Sequence, residues 1–313
     1  MMESNLANAN MGISVSGAGD VNGDGYGDVI VGAYLYSNGQ GSEGAAFVYS
    51  GSATGVNTAS PIILESNLAA ALLGFSVAPA GDVNRDGYAD VIVGVNQYSN
   101  GQANEGGAFI YHGSAAGINT IPAAKVESNQ ANANMGVSVS GAGDVNGDGY
   151  SDVIVGAFNY DNGQSNEGAA FIYHGSAAGI NTTAAARVES NQASALMGQS
   201  VAGAGDINGD GYSDVIVGAL LYDNGQSNEG AAFIYHGSAA GINTVAAARI
   251  ESNQAGALMG YTVACAGDVN GDGYSEVIVG VIAYDGDQAD EGAAFIYYGS
   301  ATGISITTNN ILE

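Results

Sequence analysis

The 313-residue sequence carries one arrangement of oxygen-bearing side chains five times over. The first copy reads Asp20-Val21-Asn22-Gly23-Asp24-Gly25-Tyr26-Gly27-Asp28, with carboxylate or amide oxygens at positions 1, 3, 5 and 9 and glycine at position 6. A hard cation such as calcium takes six to eight oxygens at about 2.3–2.6 Å. These side chains, with the backbone carbonyl of position 7, supply most of such a shell. Gly25 permits the sharp reversal that brings both halves of the loop round an ion. Magnesium fits less well, because it keeps its waters and imposes octahedral geometry. With no His or Cys in the loop, zinc and copper are disfavoured. The competing reading is an acidic turn with solvated carboxylates, since Asp, Asn and Gly are ordinary turn residues. Three uncompensated carboxylates within nine residues repel one another, however, and in-phase repetition of that repulsion favours the metal reading. An EF-hand is ruled out because position 12, Val31, falls in an apolar run where that motif places a bidentate Glu.

The loops begin at Asp20, Asp82, Asp144, Asp206 and Asp268, a constant step of 62 residues. No copy contains an insertion or deletion, and segments 127–188 and 189–250 differ at only nine positions. Recent amplification and deliberate engineering would both leave such uniformity. Within the third unit, Gly136-Val137-Ser138-Val139-Ser140 alternates as a half-buried strand does. Asp152-Val153-Ile154-Val155-Gly156 is the continuous β-branched run of a strand buried on both faces. Ala169–Tyr173 and Ala185–Glu189 complete four short strands, and Asp161-Asn162-Gly163-Gln164 is a turn between the second and third. Four-stranded units that cannot bury both faces alone predict an all-β fold, a β-propeller of five blades. A solenoid of stacked sheets is the runner-up. The expected blades run approximately 3–64, 65–126, 127–188, 189–250 and 251–313 within a single domain, 1–313. Glu3 and Glu313 share one phase of the repeat, so in a closed ring they compete for one place. Alternatively, two chains join into a larger ring.

Composition narrows the partners. Four basic residues against 31 acidic ones give a net charge of −27, which leaves no electrostatic footprint for nucleic acid or an anionic membrane. Fifteen of those acidic residues lie in the five loops, so five divalent cations would cancel ten charges. A hydrophobic fraction of 46% with only 11% charged residues belongs to a folded protein. A single cysteine, Cys265, excludes an internal disulfide framework. Gly, Asn or Asp interrupts every apolar stretch well short of the roughly 18 residues of a membrane span. The opening Met1-Met2-Glu3-Ser4-Asn5 does not read as a secretory leader, so an exported protein would have lost its signal or carry it outside this sequence.

Each unit also carries Met135-Gly136, Gly141-Ala142-Gly143-Asp144, the acidic loop through Asp152, and Val155-Gly156-Ala157-Phe158. On these residues the chain resembles the FG-GAP repeat of integrin α-subunit propellers and related bacterial proteins, along essentially its whole length. It departs in having Met11, Leu73, Met135, Met197 and Met259 where the family has Phe, and in lacking the Pro after the second strand. The family ring usually has seven blades. The resemblance implies one calcium ion per repeat. Its ligands would be Asp20, Asn22, Asp24, the Tyr26 carbonyl and Asp28 in the first repeat, then Asp82, Asn84, Asp86, Tyr88 and Asp90. The third and fourth repeats give Asp144, Asn146, Asp148, Tyr150 and Asp152, then Asp206, Asn208, Asp210, Tyr212 and Asp214. The fifth gives Asp268, Asn270, Asp272, Tyr274 and Glu276, whose extra methylene makes the ninth ligand bidentate or displaces it. Arg85 replaces the loop glycine of the other repeats and is expected to weaken binding there.

The resemblance further implies that calcium is structural and that ligands meet the opposite loops, such as Tyr160–Glu167 and Ser190-Asn191-Gln192. His112, His174 and His236 have no acidic partner in their own motif and read as surface residues, with Ser50 and Tyr298 at the matching places. Cys265 stands where other repeats have Gly or Pro and reads as a tolerated small residue. No asymmetric set of acid, base and nucleophile appears, so the chain is expected not to be an enzyme. The reading is a calcium-stabilised, non-catalytic binding or adhesion scaffold with an extracellular or periplasmic home, where calcium is plentiful. A protein or glycan ligand and self-association are both compatible with it. Two alternatives stand beside it: a multivalent carbohydrate-binding lectin, and an engineered or recently amplified repeat protein with no ligand of its own.

Overall fold

A computed structural model describes residues 1–306 and the backbone of Asn310–Leu312. The expected competition between Glu3 and Glu313 involves a residue outside that described set. All named elements are strands, and twenty of them form five antiparallel sheets of four. The first sheet holds β1 (Met11–Gly19), β2 (Asp28–Ala33), β3 (Ala45–Tyr49) and β4 (Ile62–Glu65). The second holds β5 (Leu73–Gly81), β6 (Asp90–Val95), β7 (Gly107–Tyr111) and β8 (Ala124–Glu127). The third holds β9 (Val139–Gly143), β10 (Asp152–Ala157), β11 (Ala169–Tyr173) and β12 (Ala186–Glu189). The fourth holds β13 (Met197–Gly205), β14 (Asp214–Ala219), β15 (Ala231–Tyr235) and β16 (Ala248–Glu251). The fifth holds β17 (Met259–Gly267), β18 (Glu276–Val281), β19 (Ala293–Tyr297) and β20 (Asn310–Leu312). Strand order within each sheet follows the chain, which is the up-and-down blade of a β-propeller, five times over.

Two compact units make up the chain, one of Met1–Gly141, Tyr150–Val155 and Tyr173–Thr183, the other of Ala142–Gly149, Gly156–Ile172 and Ala184–Glu313. In the first unit, Ile30, Ala46, Val48 and Leu64 pack against Leu73, Val77, Val91 and Val93 of the next blade. In the second, Ile216, Ala232, Ile234 and Ile250 pack against Met259, Val263, Val277 and Val279. Burying each of the Val, Leu, Ile and Met side chains contributes about 1.5–3 kcal/mol, and the alanines add less. Met259 is fully buried in this layer, where its flexible thioether side chain fills the space between the blades. A Cβ on Gly32 would stand 2.0 Å from the Gly74 carbonyl, and one on Gly218 2.0 Å from that of Gly260. Gly32 and Gly218, within the second strands, and Gly74 and Gly260, of the Leu/Met-Gly pairs, therefore let two backbones meet.

The first strand differs from the sequence expectation. In the third blade it runs Val139–Gly143 instead of 136–140, and elsewhere it extends nine residues, as in Met11–Gly19. Glycines remove the side-chain alternation, but the backbone ladder continues through them. Gly17 pairs with Val29 and Gly19 with Asp28, across a register shift, and Gly203 and Gly205 pair likewise with Val215 and Asp214. Gly19 and Gly205 have φ of 77° and 70°. That bulge turns the chain directly into the acidic loop.

Candidate metal centres

Each acidic loop is therefore held between two paired strands. In the first, Asp20 Oδ1 accepts the Gly23 and Asp24 N–H groups at 2.7 and 3.1 Å, and Oδ2 accepts Gly25 N–H at 2.8 Å. These bonds, Gly25 foremost, hold the Asp20 carboxyl below its ordinary range. Asn22 Oδ1 accepts Asp24 N–H at 2.9 Å while its amide donates to Asp24 Oδ2 at 3.0 Å. Asp24 Oδ1 accepts Tyr26 N–H at 2.9 Å. Asp82, Asn84 and Asp86 repeat the pattern with Gly87 and Tyr88, as do Asp206, Asn208 and Asp210 with Gly211 and Tyr212. In the third loop, Asp144 accepts Asp148 and Gly149 N–H, and Asn146 bonds Asp148; Tyr150 follows at its tip.

Position 9 has a second duty that its residue type alone does not reveal. Asp28 is buried, with Oδ2 accepting Val21 N–H at 2.9 Å and Oδ1 accepting Gly51 N–H at 2.7 Å. Asp90 takes Val83 and Gly113, Asp214 takes Ile207 and Gly237, and Asp152 takes Gly175. This aspartate clasps the start of the loop to the end of the third strand. Burial pushes the Asp90 and Asp214 carboxyls up to about 6, against the backbone N–H bonds and the nearby His112 and His236.

The fifth loop is arranged differently. Glu276 Oε2 still accepts Val269 N–H at 2.7 Å, and Asp268, Asn270, Asp272, Gly273 and Tyr274 keep the loop pattern. Asp268, Asp272 and Glu276 each bring an oxygen within 4.8 Å of the others. Glu276 is fully buried, and its Oε1 has no hydrogen-bond partner. A buried carboxylate oxygen without a donor costs free energy unless a cation answers it. The all-oxygen set of Asp268, Asp272 and Glu276 matches the chemistry of calcium.

Sequence reasoning missed two neighbours of these loops. His112 and His236 are not free surface residues: their Nδ1 atoms lie 3.3 and 3.2 Å from the Asn84 and Asn208 amide nitrogens, and their Nε2 atoms are buried. The 28-residue separation of Asn84 and His112 hides this contact from any local motif. The second neighbour is the tyrosine ring at position 7. Tyr88, Tyr212 and Tyr274 cover Gly23, Gly147 and Gly209 of the preceding loop. In the opposite turns, the buried Glu43 accepts Asn38 N–H at 2.6 Å, and Asn162 and Gln192 bond Glu189 and the Asp223 backbone. Their amides are already engaged with protein groups. Cys265 is exposed.

Blades of four strands, each with an oxygen-rich loop between its first two, define a repeat propeller with acidic loop sites. The FG-GAP repeat family matches residues 11–49 and 197–235, and the FG-GAP-like repeat family matches 82–155. Within those stretches the chain carries FG-GAP-type repeats. It is similar to integrin alpha-6 of Homo sapiens, 36% identical over 152 residues that cover 48% of this chain and 13% of the relative. It is also similar to integrin alpha-7 of Rattus norvegicus, 36% identical over 140 residues (44% and 12%). Integrin alpha-V of Gallus gallus is 35% identical over 150 residues (45% and 14%). The aligned stretch thus spans only 12–14% of the length of these curated relatives.

Proposed function

We propose that the chain is a calcium-stabilised, non-catalytic binding scaffold acting as one propeller domain, 1–313, outside the cytosol. The buried Glu276 carboxylate, clustered with Asp268 and Asp272 and with its Oε1 unpartnered, carries this reading. Asp268, Asn270, Asp272 and Glu276 would hold the fifth ion, and their counterparts from Asp20, Asp82, Asp144 and Asp206 onward the other four. A bound cation would neutralise the loop carboxylates and tie the first strand of each blade to the second, stabilising the native state by mass action. The similarity to integrin α chains supports a scaffold whose loops recognise a protein, at the ends of the blades away from the acidic loops. An extracellular or periplasmic setting would keep such loops filled. Thermal unfolding with calcium and with excess chelator tests the reading. A large fall in Tm on chelation is expected; an unchanged Tm refutes it.

A further inference from the structure

Successive blades are joined by one recurring set of contacts. In the first unit, Ala89 N–H donates to Asp20 O, Ser114 N–H to Val21 O and Leu73 N–H to Glu43 O, at 3.0–3.1 Å. In the second unit, Ser275, Ser300 and Met259 make the same three bonds to Asp206, Ile207 and Glu229. Each such junction also seats a tyrosine ring on a glycine, Tyr88 on Gly23 and Tyr274 on Gly209. Among the described residues, the first blade's counterparts of these donors and the fifth blade's counterparts of these acceptors make no such interblade bond. Tyr26 is 43% exposed, and a Cβ on Gly271 would meet nothing within 4 Å. Val15 is 66% exposed where its counterpart Val77 is 6% exposed. Val269 is 52% exposed where Ile207 is fully buried. Beside Val15 lies an apolar hollow of about 340 Å³ lined by Met2, Val29 and Val31.

The first blade thus presents the donating half of a junction and the fifth blade the accepting half. By the same register, Met11, Gly27 and Ser52 offer N–H groups, and Asp268, Val269 and Glu291 offer carbonyls. We propose that these two surfaces form a head-to-tail interface between copies of this chain, with Tyr26 of one copy on Gly271 of the next. The occupant is specified by continuity: the surface that fits the first blade is the one every internal blade already offers its successor. Such an interface is heterologous, since different patches meet. The inference uses backbone and apolar contacts and does not depend on the cation reading.

Sedimentation velocity of the full chain over a range of concentrations tests it. The expected mass is twice that of the chain or a higher multiple. Val15→Arg and Val269→Arg alter exposed side chains at opposite ends, and each alone should give a monomer with unchanged circular dichroism. Mixing the two should restore a one-to-one dimer, because each variant retains the half that the other has lost. If Val269→Arg fails to fold, Ala294→Arg on the same blade takes its place. A wild-type monomer at every concentration, or an association that neither variant weakens, overturns the proposal. So does a mixture that stays monomeric.

Discussion

Tyr88 lays its ring over Gly23, so that a Cβ on Gly23 would stand 2.8 Å from Tyr88 Cε1. The glycine is doubly required, since its φ is 72° and any side chain there is strained even without the ring. Gly271 in the fifth loop shares the left-handed conformation, with φ of 77°, but has open space above it.

Gly23→Ala is therefore expected to cost more than Gly271→Ala, the latter losing about 1–2 kcal/mol from backbone strain alone. Arg85 occupies the same phase with φ of 59° and already bears that strain. Arg85→Gly should stabilise the protein by about 1 kcal/mol, after the greater chain entropy of glycine is subtracted. Urea unfolding of the three variants in chelator checks the order. Equal losses for Gly23→Ala and Gly271→Ala would show that the tyrosine contact contributes nothing.

Much of this was legible in the sequence because the repeat is short and its signals are local. The Val-Ile-Val runs give the second strands, and Asp-x-Asn-x-Asp-Gly gives the loops. The end of the first strand was not legible, because Gly17 and Gly19 pair through backbone without any side-chain pattern. Nor was the clasp from Asp28 to Gly51, whose partners lie 23 residues apart. Nor was the role of the buried Glu43, which ties its own turn together and whose carbonyl receives the next blade. These relations depend on which backbone groups the sheet leaves over, which composition and periodicity do not encode.

Glu276 gives a crossed prediction. Without a cation, its buried carboxylate lies beside those of Asp268 and Asp272, and neutralising it removes like-charge repulsion. Glu276→Gln should leave Tm in chelator unchanged or raised while reducing the further rise produced by calcium. A calorimetric calcium titration should lose one site or show it weakened. A fall in Tm of the same size with and without calcium would mean that Glu276 acts only by packing.

His236 joins the fourth loop to the following blade. Its Nδ1 lies 3.2 Å from the Asn208 amide, and its opposite edge faces Gly303, where a Cβ would be 3.2 Å from Cε1. His236→Ser opens a gap there, although the first blade carries Ser50 at the same phase. The expected cost is about 1–2 kcal/mol, larger in calcium than in chelator because Asn208 loses its orienting partner. Denaturation in both buffers separates the two contributions; an equal cost assigns the ring to packing alone.

Protons and calcium should compete at the second and fourth loops. Burial raises the Asp90 and Asp214 carboxyls to about 6 from the ordinary 3.8. Because the folded-state value is the higher one, their protonation adds stability that is complete below about 3.8 and is lost as pH rises through about 6. Asp20, held below 3.8, contributes in the opposite sense, with stability that is present above that value and lost on further acidification. In chelator, Asp90 and Asp214 should therefore make the protein less stable as pH rises from 4 to 7, and calcium should reverse the trend. A cation entering these loops requires the ionised carboxylates, so binding near pH 6 should expel about one proton per chain, half from each aspartate. Calorimetry in buffers of different ionisation enthalpy measures that release directly. It should vanish at pH 8, and equal release at both pH values would show that neither aspartate is emptied by the ion.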